Sequence, residues 1–290
     1  MPIERMKIAI QKGGRLSDDS LALIESSGFR VVKGANDLVY RVDNAPIDLL
    51  RLRDDDIPTF VGDGVADFGI IGRNVLRERM SRDETIEVMP LGFGRCALKI
   101  ASTPDFDYRG PASLEGRRIA TSYPTVLTAF LKERDVRAEI VYMRGAVEVA
   151  PRLGLAHAIC DLVSTGATLE MNGLIAFDTV LESEAVLVRS LRPASAENLA
   201  LADSLVERFR GVIASRGSKY VMMNAPKARL AEITALLPGA EAPTVTPLAG
   251  RADAVAVHAV CQESVFWETL ERLKAAGASS ILVLPIEKMM

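Results

Sequence analysis

Short apolar runs alternate with longer segments of amphipathic spacing over the first two thirds of the chain. The early runs, at residues 7–10, 47–52 and 66–72, have the length and composition of buried strands. Between the first two runs, Ser17 can cap a helix that Gly28 ends, because serine favours the N-cap and glycine the position after the last turn. This alternation predicts α/β units around mainly parallel sheets.

A second set of strands and helices follows the first. Its strands are predicted at residues 97–101, 118–120, 139–142 and 158–163, with a helix at residues 125–133. The apolar segments near Val180 and at residues 185–188 are expected to return to the first sheet. Two lobes joined by such chain crossings leave a cleft at the strand ends, where open α/β sheets usually bind ligands.

The last third of the chain has a different order of elements. Apolar positions at helical spacing over residues 194–215 predict a long helix that ends near Gly217. The remaining residues follow the order strand, helix, strand, strand, helix, strand, which is that of a ferredoxin-like domain. Because this fold hosts many functions, the architecture alone does not identify a ligand.

Composition excludes several classes of function. The 290-residue chain is 49% hydrophobic and 25% charged, which is typical of globular proteins of more than one domain. A net charge of −3 with 5% aromatic residues argues against a nucleic-acid partner, and two histidines exclude a histidine-rich metal centre. No apolar run approaches the roughly 20 residues of a membrane helix, and no apolar leader precedes the first strand. We therefore expect a cytoplasmic protein without a membrane partner, with its three cysteines reduced.

Residues 148–169 are the most informative stretch of the sequence. An apolar run ends there in Asp161, and a loop of small and hydroxyl residues follows: Ser164, Thr165, Gly166, Ala167 and Thr168. Backbone N–H groups and hydroxyls of such a loop can bind phosphate oxygens at a helix start. The carboxylate can bind ribose hydroxyls, or a magnesium ion that bridges to pyrophosphate. A strand, a polar turn and a helix cap without any ligand would give the same pattern, so the loop alone leaves both readings open.

Charged residues elsewhere allow two interpretations. Arg51 and Arg53 could form one solvated face of a strand, but Arg53 directly precedes the DDDIP turn and is the better ligand-binding candidate. The acids at residues 54–56 could bind magnesium, although acids at a helix start more often stabilise its N-terminus. Asp67 lies within an apolar strand, where we expect it to be structural.

The segment E-x5-G-x-A-x2-I-x-D-L-x2-T-G-x-T-L at residues 148–169 is identical at its fixed positions to the signature of the ATP phosphoribosyltransferases. Further similarity lies, in chain order, in IAIQKGGRLSDDS, LLRLRDDDIP, ADFGIIGRNVL, RIATSYP, SKYVMM, TPLAG and SSILVLPIEKMM. The chain therefore resembles the long form of this family over its whole length.

The resemblance implies a fold and a domain organisation. The fold would be α/β, with a two-lobed catalytic part similar to type II periplasmic binding proteins and a C-terminal ferredoxin-like (βαββαβ) regulatory domain. Lobe I would comprise residues 1–95 with a return segment at about 178–215. Lobe II would comprise residues 96–177 and carry the phosphate loop, and the regulatory domain would comprise residues 216–290.

The resemblance also implies a reaction. N1 of the adenine of ATP would displace pyrophosphate from C1 of phosphoribosyl pyrophosphate (PRPP), with Mg²⁺ as cofactor, in the first step of histidine biosynthesis. An oxocarbenium-like transition state needs positioning and neutralisation of the leaving group, so no covalent nucleophile is expected. The family further implies dimers and hexamers, and inhibition by histidine at the C-terminal domain.

We hypothesise a role for each candidate residue. Asp161 and Glu148 would bind the ribose, with Asp161 also a candidate metal ligand, and the loop would bind the 5′-phosphate of PRPP. The phosphates of the leaving group or of ATP would contact Lys12, Arg15 and Arg53. Tyr123 would lie on the nucleotide side. Asn224 and Thr244 would contact histidine.

Two other functions are compatible with the fold. One is a non-catalytic binding protein for a small molecule, and the other is a regulatory subunit that has lost catalysis. The intact signature, together with Lys12 and Arg15, favours the enzyme. Turnover would separate these readings, because a binder or an inactive subunit would bind PRPP without releasing pyrophosphate.

Overall fold

A computed structural model describes residues 5–34, 38–79, 84–192, 195–237 and 242–289. The chain divides into two compact units, Met1–Asp203 and Ser204–Met290. No helix in the described part of the chain is both long and apolar enough to span a membrane.

The first unit alternates strands and helices along the chain. Its elements are β1 (Met6–Gln11), α1 (Arg15–Ser26), β2 (Val31–Val32), β3 (Val39–Val42), β4 (Ile47–Leu52), α2 (Ile57–Gly62), β5 (Phe68–Gly72), α3 (Arg73–Arg79), β6 (Thr85–Pro90), β7 (Cys96–Ser102), β8 (Arg118–Thr121), α4 (Pro124–Lys132), β9 (Glu139–Tyr142), β10 (Ala158–Val163), α5 (Ala167–Met171), β11 (Ile175–Ser183) and β12 (Ala185–Ser190). The helix α6 (Ala196–Ser215) runs from the first unit into the second.

The first sheet has the strand order β2-β3-β4-β1-β5-β12-β6. Its central strand β1 runs parallel to β4 and β5, whereas β12 runs antiparallel to β5 and β6. Apolar runs such as the FGIIG of β5 are buried along most of their length, because a central strand of an α/β sheet is covered on both faces. The apolar runs of the sequence therefore predict the centre of this sheet correctly.

The second sheet has the strand order β11-β7-β10-β8-β9. Strand β10, which carries Asp161, runs antiparallel to β7 and parallel to β8. Strand β11 pairs with β7 from Ile175 opposite Ser102 to Ser183 opposite Cys96. The expectation that the segment near Val180 returns to the first sheet is therefore wrong, because the nine-residue β11 extends the second sheet and the return begins with β12.

Helix α3, which follows β5 of the first sheet, contacts the start of helix α4, which follows β8 of the second sheet. Both carboxylate oxygens of Glu78 on α3 accept hydrogen bonds from the first turn of α4, one from Thr125 N–H and one from Val126 N–H, each at 3.0 Å. Asn74, also on α3, donates to the Tyr123 hydroxyl at 3.0 Å and is bonded to Ser183 by two further hydrogen bonds. Helix α3, on the side of the first sheet, is thus hydrogen-bonded to the N-terminal end of helix α4, on the side of the second sheet.

The second unit is a four-stranded antiparallel sheet with two helices packed on one face. After α6 it contains β13 (Ser218–Pro226), α7 (Leu230–Ala235), β14 (Thr244–Leu248), β15 (Arg251–Gln262), α8 (Glu263–Ala275) and β16 (Ser279–Pro285), with the strand order β14-β15-β13-β16. Alternate residues of β13 and β15, among them Met223 and Val257, are fully buried against Ile233 and Leu273 of the helices. The predicted ferredoxin-like order is confirmed.

Removal of the Glu78 carboxylate should loosen the first unit. We expect Glu78→Ala to lower the melting temperature by about 2–5 °C, because the loss of an acceptor at a helix N-terminus costs about 1–2 kcal/mol. Circular dichroism during heating measures this change. The matched control is Glu133→Ala after the end of α4, where an exposed carboxylate pairs with the exposed Arg134 at 3.5 Å and its loss should have little effect. Equal melting temperatures of the two variants would show that the Glu78 contact does not stabilise the fold.

Candidate functional site

The loop after β10 carries the predicted phosphate-binding residues. Ser164, Thr165 and Gly166 connect β10 to α5, and Ser164 and Thr165 are exposed. Gly166 has φ +86°, a left-handed conformation that L side chains rarely adopt, so glycine is needed here for the backbone turn. Apart from its chain neighbours, no atom of the described residues lies within 4 Å of a Cβ placed on Gly166, so the loop backbone borders open space.

A cavity of about 610 Å³ lies beside this loop in the first unit. Ser164, Thr165 and Gly166 line it, while the predicted Ala167 and Thr168 lie in α5, exposed and outside the lining. The sequence reasoning missed the basic residues of the cavity, which are Arg73, Arg95 and Lys99. Lys99 could have been found only through strand pairing, because the register of β7 against β10 places it opposite Asp161.

Asp161 has an environment that disfavours its charged form. Burial raises the pKa of its carboxyl group, and the nearby carboxylate of Glu148 raises it further. A hydrogen bond from Leu162 N–H to Asp161 Oδ1, at 2.8 Å, acts in the opposite direction. Val163 lines the cavity, and alternation along β10 places Asp161 on the same face of the strand. The structure thus brings Asp161 and Glu148 together near the loop.

Tyr123 lies between the two sheets. Its hydroxyl accepts the hydrogen bond from Asn74, and burial raises the pKa of this hydroxyl strongly. The carboxylates of Asp161, from the second sheet, and Asp54, from the first, raise the pKa of Tyr123 further. Tyr123 therefore stays protonated at neutral pH, as a neutral group beside carboxylates of both sheets.

The predicted cations of the first sheet lie at one edge of it. Lys12 N–H donates to the Leu52 carbonyl at 2.7 Å, so Lys12 and Arg53 follow the carboxyl ends of the neighbouring parallel strands β1 and β4, and both are exposed. Arg15 begins α1, and its side chain is outside the described residues. Arg51 instead contacts Tyr40, with a 2.6 Å hydrogen bond to its hydroxyl and its guanidinium 4.5 Å from the ring centre.

Oxygen ligands suitable for a magnesium ion are present near Tyr123. The carboxylates of Asp161 and Glu148 are close enough to interact, and Oδ1 of Asp54 is buried with no hydrogen-bond partner in the described part of the chain. Among the described residues, no three His, Cys, Asp or Glu side chains form a metal-binding cluster. This donor set suits Mg²⁺, which commonly uses one or two carboxylates and takes further ligands from substrate phosphates.

The predicted effector residues lie on the face of the second sheet that points away from α7 and α8. Asn224 on β13 alternates with the buried Met223, and Thr244 on β14 pairs with His258 of β15. Nδ1 of His258 lies 2.7 Å from the Tyr220 hydroxyl. Asn224 and Thr244 are thus on the same face, separated by β15, with a polar His258–Tyr220 pair nearby that the sequence reasoning missed.

Comparison with known proteins gives consistent results over both units. Residues 53–211 match the family model HisG, described as ATP phosphoribosyltransferase, and residues 215–288 match that of the HisG C-terminal domain. The chain is 54% identical over 290 residues to an ATP phosphoribosyltransferase of Maricaulis maris (strain MCS10), covering 99% of each sequence.

One solved structure supports the same fold. The ATP phosphoribosyl transferase (HisG:HisZ) complex from Thermotoga maritima matches with 26% identity and a TM-score of 0.58, over 71% of this chain and 98% of that one. A probable amino-acid ABC transporter extracellular-binding protein from Bacillus subtilis aligns with 12% identity and a TM-score of 0.46, over 72% and 92% of the chains, which is too weak to support a functional argument.

The predicted family, fold class and enzymatic nature are confirmed by these matches. The first family model covers more than half of the chain, and the curated relative extends over its full length. The chain belongs to the ATP phosphoribosyltransferase family, the transferases of the first step of histidine biosynthesis.

Proposed function

We propose that the protein transfers the phosphoribosyl group of PRPP to N1 of the adenine of ATP. The bond from C1 to the pyrophosphate oxygen breaks with its electron pair on pyrophosphate, and N1 supplies the pair for the new bond. The observation that carries this proposal is the cavity beside Ser164–Thr165–Gly166, because hydroxyls, loop backbone and basic side chains meet there next to Asp161. Such a site can bind a phosphorylated sugar.

The two carboxylates at the end of β10 would bind the ribose. Asp161 and Glu148 would accept hydrogen bonds from the ribose hydroxyls, and their negative charge would stabilise positive charge that develops at C1. Burial raises the pKa of Asp161 and the nearby Glu148 carboxylate raises it further, so two charges are unfavourable there without a ligand. Binding of a hydroxyl donor or a cation would offset this repulsion.

The leaving group and the nucleotide would contact the first sheet and Tyr123. Three basic residues would neutralise the departing pyrophosphate or the ATP phosphates. Lys12 follows β1, Arg53 follows β4, and Arg15 begins α1. The protonated Tyr123 would donate a hydrogen bond on the nucleotide side. Asp161, Asp54 or Glu148 would hold Mg²⁺ together with phosphate oxygens, and the ion would supply charge neutralisation to the leaving group.

We further propose that residues 216–290, within the second unit, form a regulatory domain that binds histidine. Asn224 and Thr244 would contact the amino acid from one face of the sheet, with the first unit's two lobes, one built on each of its sheets, as the catalytic part. Inhibition at a distance requires two global states to which histidine binds unequally. Dimers and hexamers would provide such states, and a cytoplasmic location would supply ATP and PRPP.

The reaction itself is tested by pyrophosphate release from the purified full-length chain. We expect release only when ATP, PRPP and Mg²⁺ are all present, and lower release when histidine is added. Omission of ATP is the control for PRPP hydrolysis. A folded protein that binds PRPP but releases no pyrophosphate would contradict the proposed reaction, and release that histidine leaves unchanged would contradict the regulatory role alone.

Asp161→Asn should weaken PRPP binding and at the same time stabilise the fold at neutral pH. Burial raises the pKa of Asp161 in the folded state above its unfolded value of about 3.9. Below the unfolded pKa the group is protonated in both states and does not affect stability. As the pH rises through the raised pKa, the buried carboxylate lowers the stability of the fold. We expect a higher melting temperature than wild type at pH 7, no difference near pH 3.5, and a KM for PRPP raised about tenfold or more.

The matched control for this variant is Asp63→Asn at the exposed C-terminal end of α2. It should leave the KM for PRPP unchanged, and its melting temperature should follow that of the wild type at both pH values. An unchanged KM in Asp161→Asn would remove this residue from the site.

Asn224→Ala and Thr244→Val should reduce inhibition by histidine without changing turnover in its absence. Each removes a polar group from the proposed effector site, so we expect the half-inhibiting histidine concentration to rise about tenfold. The control is Thr234→Val on α7, where the hydroxyl donates to the Ala231 carbonyl within its own helix. If all three variants keep the inhibition of the wild type, histidine does not bind this face of the sheet.

A further inference from the structure

We propose that Lys99 is a substrate-binding residue that contacts the 5′-phosphate of PRPP. This inference rests on the proposed function and adds a cation to the hydroxyl and backbone groups of the loop. Lys99 lies in the middle of β7, half-buried, and lines the same cavity as Ser164, Thr165 and Gly166. Strand pairing places it directly opposite Asp161 on β10 and opposite Thr179 on β11.

The surroundings of Lys99 leave room for a ligand. Its neighbours on the same face of β7 are Ala97 and Ala101, since alternate residues of a strand share a face. Ala176 of β11 is opposite Ala101 and also lines the cavity. Lys99 therefore has only small residues beside it on its own face of β7, and it lines the cavity.

The charge of Lys99 is available to a ligand. Among the described residues, no carboxylate lies within ion-pair distance of the Lys99 ammonium group. The cation of Arg73, in contrast, is neutralised by Glu87 at 2.9 Å and Glu184 at 3.5 Å. Lys99 thus differs from Arg73 although both line the cavity.

The other charged groups of the cavity are less suited to this contact. Arg95 is exposed and lies before the start of β7. Glu182 is an exposed acid on β11, opposite Ala97 of β7. Backbone N–H groups and hydroxyls of the loop donate hydrogen bonds to a phosphate but carry no full positive charge. A dianionic phosphate in a half-buried site needs a cation as well, which Lys99 provides.

The test compares Lys99→Met with Lys99→Arg by calorimetric titration with two probes, PRPP and ribose 5-phosphate, which carries the 5′-phosphate without the pyrophosphate. We expect Lys99→Met to raise the Kd of both probes about tenfold or more, and Lys99→Arg to stay within about threefold of wild type. The KM for ATP should not change. Lys132→Met, on the exposed surface of α4, is the control and should bind like wild type.

Each outcome either supports or overturns the role of Lys99. Unchanged binding in Lys99→Met overturns it while the proposed function stands, provided that the wild type releases pyrophosphate. Loss of PRPP binding with normal binding of ribose 5-phosphate assigns Lys99 to the pyrophosphate and overturns the 5′-phosphate contact. A wild type that neither binds PRPP nor turns it over overturns the proposed function together with this inference. Lys99→Gln replaces Lys99→Met if the latter does not fold.

Discussion

The candidate site depends on two chain crossings that run side by side between the sheets of the first unit. The chain leaves the first sheet after β6 and returns to it after β11, and the crossings are hydrogen-bonded to each other through Leu91 N–H to Ala185 and Ala185 N–H to Phe93, at 2.9 and 2.8 Å. Arg73 N–H adds a bond to the Glu184 carbonyl at 2.9 Å. The cavity lies against these two crossings. Their hydrogen bonds therefore help to fix the positions of the residues that line it.

Charge is divided within the first unit although the whole chain is close to neutral. The cavity beside the phosphate loop is lined by Arg95 and Lys99, and by Arg73 with its acidic partner Glu184, whereas burial holds the pKa values of Asp161 and Asp54, near Tyr123, above normal. Basic residues in the cavity and after β1 and β4 suit a ligand with phosphates at both ends, and the carboxylates suit the sugar hydroxyls between them. The net charge of −3 conceals this local arrangement.

Local patterns in the sequence predict most strands of the first unit, though not β2, β3 or β6, and they predict the loop after β10 and the order of elements in the second unit, because each depends on contiguous residues. Strand pairing does not follow from such patterns. Strand β11 is only partly buried and has no clear alternation, so its partner cannot be chosen from the sequence, and it was assigned to the wrong sheet. Lys99 was missed for the same reason, since only the register of β7 against β10 brings it to Asp161. Asp67, in contrast, was rightly expected to be structural: its carboxylate accepts from Lys7 N–H at 2.7 Å.

The contact of Glu78 with α4 has a consequence for how the two lobes can change over evolutionary time. Helix α4 begins after Tyr123 without a side-chain cap of its own, and the acceptor for its first amide groups comes from the other sheet. A lobe exchanged for that of a relative would leave this helix end, or this carboxylate, without its partner. The two lobes are therefore expected to be inherited as a pair, although each has its own sheet.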